Sequence, residues 1–106
     1  MPAYVIVDVE VLDPAGYEKY KVLATESIAR HGGRYLARGG RAIALEGERV
    51  PRRLVVLEFP SLEAAQRWHA SEDYAPARAL RNAHARTEMV VVEGVQPGLD
   101  NFGPPG

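Results

Sequence analysis

The sequence predicts an α+β fold: four strands and two helices in the order β-α-β-β-α-β, with an antiparallel sheet carrying both helices on one face. Three observations predict it. Valines alternate with other residues from Tyr4 to Leu12, the period of a strand. Tyr17, Tyr20, Ala24 and Ile28 then recur at helical spacing. The run Arg30-His-Gly-Gly-Arg-Tyr-Leu-Ala-Arg-Gly-Gly-Arg41 joins a helix-ending signal to a second strand. At 106 residues the chain is read as one domain over residues 1–95, followed by a Pro/Gly-rich arm or tail at 96–106.

Each element follows from local chemistry. In the first strand Val5, Val7, Val9 and Val11 share one face, and Tyr4, Ile6, Asp8 and Glu10 the other. Asp13-Pro14 opens the first helix, aspartate as N-cap and proline at the first helical position. Gly32 stops it after His31. Arg34 to Leu45 reads as a strand interrupted at Gly39-Gly40, or two short strands, with a bulge or a close backbone approach expected at the glycines. Glu46 to Arg49 is a turn. Pro51 precedes a third strand, Arg53 to Phe59, and Pro60 ends it. Ser61 caps a second helix with Leu62, Ala65, Trp68 and His69 at inner or border positions. Ser71 to Tyr74 breaks that helix, which restarts over Ala75 to Ala83. Thr87 to Val95 is the fourth strand. The order is that of a ferredoxin-like sheet, with the first and third strands central and the second beside the third.

The helix-free face is predicted to carry Tyr4, Ile6, Leu54, Val56, Met89 and Val91, too much apolar surface to leave wet. Two sheets packed face to face would bury it, so a homodimer is expected. Covering about 800 Å² per subunit contributes on the order of ten kcal/mol before association costs.

Composition excludes several classes. With 13 basic and 14 acidic side chains there is no global electrostatic case for nucleic acid or an anionic membrane. The chain has no cysteine, which removes disulfides, thiolate nucleophiles and cysteine-ligated metals. No run approaches transmembrane length and no basic region leads an apolar one, so a cytoplasmic protein is expected. Arginine and alanine are preferred over lysine, the usage of a GC-rich bacterial genome. Charge is uneven: seven arginines lie between Arg30 and Arg53 against Glu46 and Glu48.

As a spaced set, Tyr17-x-x-Tyr20, Gly32-Gly33-Arg34-Tyr35-Leu36-x-Arg38-Gly39, Glu46-Gly47, Pro51-x-Arg53, Glu58-Phe59-Pro60-Ser61, Trp68-x-x-Ser71-x-x-Tyr74 and Arg81 resemble the bacterial family called domain of unknown function 1330. The likeness covers roughly residues 3–95. It implies the dimeric α+β barrel superfamily, whose relatives include cofactor-independent monooxygenases of the antibiotic-biosynthesis type and muconolactone isomerase. Those relatives place a pocket between sheet and helices. The resemblance thus implies a cofactor-free enzyme of oxygenation or proton transfer, with a noncatalytic ligand-binding or stress-linked dimer as the alternative. A haem or metal protein of the same superfamily is the third reading.

The candidate residues carry two readings each. Glu58 is expected across a strand pair from Arg38 or Arg41, near Asp8. That pair is either a dimer-interface lock or a site in which Arg38 holds an anionic ligand and Glu58 moves a proton. His69, beside Trp68, is the candidate acid/base or a satisfied border histidine. The three histidines show no ligand spacing, so no metal and no cofactor are assigned. Tyr20 packs in the core with its hydroxyl at a cleft rim, and Trp68 and Tyr74 line an aromatic pocket. Arg81 closes that pocket or binds Glu72-Asp73. The expected partners are a second copy and a small organic molecule, anionic or aromatic in class.

Overall fold

A computed structural model of the chain describes residues 1–95. Along the chain run β1 (Ala3–Val11), α1 (Pro14–Arg30), β2 (Arg34–Arg38), β3 (Leu54–Phe59), α2 (Leu62–Ala70), α3 (Ala75–His84) and β4 (Ala85–Glu93). The strands form one antiparallel sheet in the order β2-β3-β1-β4. This is the ferredoxin-like α+β architecture, its second helix split in two. The expected arm at 96–106 lies outside the described residues.

The core lies between the sheet and the helices. Val5, Val7 and Val9 of β1, with Val55, Leu57 and Phe59 of β3, point into it. The helices answer with Tyr17, Ala24 and Ile28 from α1, Ala64, Ala65 and Trp68 from α2, and Ala77 from α3. Phe59 and Trp68 pack with ring centroids 5.2 Å apart, and Trp68 and Tyr74 at 4.3 Å. Burying each such ring contributes about 1.5–3 kcal/mol, so this aromatic stack fixes where α2 and α3 sit on the sheet.

Helix ends follow the sequence signals with one exception. Gly32 takes φ +78°, its N–H donates to Ala29 O and that of Gly33 to Ile28 O at 2.9 Å, closing α1 in a Schellman motif. Ser61 Oγ accepts from Ala64 N–H at 3.0 Å and caps α2. Ser71 bridges the helical break: its hydroxyl donates to Trp68 O at 2.7 Å and accepts from Tyr74 N–H at 3.1 Å. Asp13 makes no side-chain cap on α1; its carboxylate lies 3.1 Å from His84 Nδ1 instead.

Three expectations are corrected. β2 ends at Arg38 rather than continuing to Leu45, because β3 begins only at Leu54 and leaves nothing further to pair with. The ladder irregularity sits between Tyr35 and Ala37; at the glycine pair the close approach is found instead, the Arg53 guanidinium lying against Gly39. Met89 and Val91 face the helices, not the open side, since Val7 opposes Met89 and Val5 opposes Val91. The open face carries Tyr4, Ile6, Val56, Val90 and Val92, with Val90 61% exposed.

The β2–β3 connection, residues 39–53, reaches the other end of that face. Arg49 meets Glu88 at 2.9 Å and Asp8 at 3.5 Å. Arg52 pairs with Glu10, and Arg86 approaches the same carboxylate at 4.0 Å. Three arginines thus match three acids there, and each exposed pair is worth no more than about 1 kcal/mol.

Candidate ligand-binding site

A polar hollow of about 540 Å³ lies over the ion pairs of the open face, and two less polar ones lie on the helix side of the sheet. A cleft of about 230 Å³ opens between α2 and the β1–β4 pair, lined by Val5, Ala65, Trp68, Met89, Val91 and, at its polar side, Gln66 and His69. Two of its walls, Trp68 and Met89, also bound a narrow inner hollow beneath α1, reached by Tyr17, Tyr20 and Arg38. The aromatic partition between the hollows is therefore Trp68, 1% exposed.

Trp68 is held by a residue that sequence reasoning missed. Its indole N–H donates to Ser27 Oγ at 3.1 Å, and the Ser27 hydroxyl donates to Ala24 O at 3.0 Å. Ser27 sits four residues before His31 on the buried face of α1, where a serine among apolar neighbours was the available signal. Met89 was missed because β4 was read with the opposite parity.

Behind Trp68 runs a buried polar chain. Arg81 donates to Tyr74 Oη at 2.9 Å, and the Tyr74 and Tyr20 hydroxyls lie 3.0 Å apart. Arg81 is 9% exposed and makes no ion pair among the described residues. It lies in the last turn of α3, where the negative end of the helix dipole offsets its charge. Of the acids expected to bind it, Asp73 goes elsewhere, to His31 at 3.3 Å and to Arg30. Burial pushes the Tyr20 hydroxyl far above the usual phenol range, and raises that of Tyr74. Both phenols are protonated donors at neutral pH, with Arg81 as a fixed donor behind them.

His69 lies in the last turn of α2 at the mouth of the cleft, exposed, with its ring centroid 5.9 Å from that of Tyr74 and 6.1 Å from that of Trp68. Partial burial, then the charges of Arg81 and Arg78, lower its pKa below 6.5. It is neutral at pH 7 and able to accept a proton. Among the residues lining the cleft it is the one that titrates near neutrality.

The expected Arg38–Glu58 pair does not form. Glu58 lies on the open face and accepts from Arg34 Nε at 2.9 Å. In an unbroken ladder Arg34, Leu36 and Arg38 would all share that face. The irregularity after Tyr35 instead sets Arg38 opposite Val55, whose side chain is buried under the helices. Arg38 therefore lies over the Tyr35 ring at 4.3 Å and donates to Thr25 Oγ1 at 3.3 Å. The structure gathers Tyr20, Trp68, Tyr74, Arg81 and His69 around Trp68, sets Arg38 at the far end of the inner hollow, and leaves Glu58 across the sheet.

Known structures share this architecture at low identity. RPA0582, a protein of unknown function from Rhodopseudomonas palustris, matches with TM-score 0.71 and 19% identity, over 91% of this chain and 84% of that one. SnoaB, a cofactor-independent oxygenase from Streptomyces nogalater, matches with TM-score 0.61 and 18% identity, over 93% and 98%. A dimeric ferredoxin-like protein of unknown function from Jannaschia sp. CCS1 matches with TM-score 0.62 and 16% identity, over 89% and 100%. At these identities the likeness shows the fold alone. No curated protein matches the sequence. Residues 2–95 match the family model described as Domain of unknown function (DUF1330), and the chain belongs to that family.

Proposed function

We propose that the protein is a homodimeric, cofactor-independent enzyme in which each subunit holds a small, largely apolar organic molecule between α2 and the sheet, and His69 moves its proton. The observation that carries this reading is the cleft of about 230 Å³, apolar except at Gln66 and His69, with that histidine held neutral. A neutral imidazole at the mouth of an apolar pocket is poised to take a proton from a C–H or O–H acid bound inside. Returning it to a different carbon isomerises the ligand; an electron-rich anion meeting dioxygen is oxygenated. Trp68, stacked on Tyr74 and backed by Tyr20 and Arg81, keeps the inner wall rigid and dry. A similar fold serves SnoaB as a cofactor-independent oxygenase.

The dimer reading is supported by the exposed valines of the open face and by the dimeric Jannaschia protein of similar fold. In it, Arg34–Glu58 becomes an interface pair. A noncatalytic binding dimer is the second reading, favoured by the exposure of His69.

The test is a panel of phenols and enolisable ketones in D2O under air, following oxygen uptake and deuterium incorporation. The enzyme reading expects turnover that rises with pH through a pKa below 6.5 and falls about 100-fold in His69→Gln, the usual scale for a lost general base, while binding still alters Trp68 fluorescence. Binding without turnover would establish the second reading instead.

A further inference from the structure

We propose that Arg53 and Arg38 form an anion clamp at the end of the inner hollow away from His69, so that the ligand is an organic carboxylate. The clamp rests on the reading that the hollows beneath the helices hold a small organic molecule, and it assigns that molecule's charge. Arg53 has no place in the sequence-based site, yet its guanidinium is packed as if positioned. It lies over the Tyr17 ring at 5.6 Å. On its other side is Gly39, at φ +71°, where any Cβ would run into the guanidinium. The glycine that turns the chain out of β2 thus also leaves the space Arg53 occupies. Its Nε is buried and has no hydrogen-bond partner among the described residues. A buried N–H without an acceptor is expensive, and an anion entering the hollow gives the guanidinium an acceptor to turn toward.

Arg38 converges from the other side, carried inward by the ladder irregularity and stacked on Tyr35. The lining of the inner hollow contains Lys21, Arg38 and Arg53 and no acid. Lys21 pairs with the exposed Glu18 at 2.8 Å, and that carboxylate also feels the charges of Arg53 and Arg38 without pairing to either. Neither Arg38 nor Arg53 has an ion pair among the described residues. Glu26, on the outer rim beside Lys21 and Arg38, is held by Arg30 at 3.6 Å. Arg38 and Arg53 therefore line a hollow of about 20 Å³, the room of about one water, so a carboxylate head enters only by taking the space that Met89 gives up on turning. The partition toward the cleft is Trp68 and Met89. A thioether side chain turns readily, so an elongated acid passing Met89 places its far end at His69.

Trp68 is the chain's single tryptophan and walls both hollows, so its emission reports occupancy of either. Benzoate and trans-cinnamate are titrated against benzamide and cinnamamide. Each acid is expected to bind about tenfold more tightly than its amide, the scale of charge-assisted pairing, and added salt weakens the acids alone. Arg53→Gln and Arg38→Gln each abolish that discrimination while amide affinity stays within about twofold, and Arg53→Lys keeps part of it. Arg38 is exposed, so its variant reads the clamp even if the Arg53 variants fold poorly. His69→Gln leaves the acid-to-amide ratio unchanged. Equal affinity of acids and amides, or a preference that survives both glutamine variants, overturns the clamp alone. Failure of every probe to bind overturns the clamp and the cleft reading together.

Discussion

Replacing Ser27 with alanine tests whether the wall of the cleft is held as the structure indicates. The Ser27 hydroxyl is the acceptor for the Trp68 indole N–H at 3.1 Å, and both side chains are buried. Removing it strands a buried donor, at a cost of about 1–3 kcal/mol. The second bond, to Ala24 O, matters less because that carbonyl also serves the α1 helical ladder. Alanine returns a few tenths of a kcal/mol in helix propensity. The net expectation is a loss of about 1–2 kcal/mol. With a urea m-value near 1.5 kcal/mol/M, the midpoint falls by roughly 1 M with m unchanged. Unfolding is followed by far-UV circular dichroism at fixed protein concentration, since the proposed dimer would make stability concentration-dependent. In a Trp68→Phe background there is no indole N–H to strand, and Ser27→Ala should cost less than about 0.5 kcal/mol. A Ser27→Ala loss of the same size in both backgrounds would refute the reasoning.

Ser61→Ala removes the acceptor for Ala64 N–H and should destabilise by about 0.5–2 kcal/mol in the same assay, with Ser61→Asp close to parent. His69 should titrate by NMR below 6.5, and Arg78→Gln should move it upward by removing one of the charges that lower it. Because its folded pKa lies below the unfolded value, the stability tied to neutral His69 is present above pH 6.5 and is lost as pH falls through the folded value; His69→Asn should flatten that slope. Val90→Lys, which places a charge in the apolar half of the open face, should shift sedimentation from dimer to monomer while leaving the fold intact.

Much of the fold was legible because its signals are local. The valine alternation of β1, the Gly32 stop and the Ser61 cap each specify backbone geometry within a few residues, and each is found where expected. What sequence alone misplaced depends on partners. Valines fill both faces of β4, so its parity is set only by the register against β1. The end of β2 is decided by where β3 begins, and the face of Arg38 by a ladder irregularity with no glycine to announce it. Within the candidate site, the aromatic residues Tyr20, Trp68 and Tyr74 were recognisable from type and spacing. The partners that hold them were not: Ser27 lies 41 residues from the indole it accepts. The Arg53 guanidinium is positioned by Tyr17 and by an absent side chain at Gly39, neither adjacent in sequence.

In the proposed dimer, the two-zoned open face would also limit how the copies stack. One end is mostly apolar, at Tyr4, Ile6, Val90 and Val92, with the Arg34–Glu58 pair at its β2–β3 edge; the other is a neutralised lattice of Asp8, Glu10 and Glu88 with arginines 49, 52 and 86. Sliding or inverting a second sheet would press valines onto that lattice and strip its ions of water without supplying counter-ions. Mispaired arrangements are thus disfavoured by hydration as well as shape, and the docking register is chosen by the surface before any interlocking detail contributes.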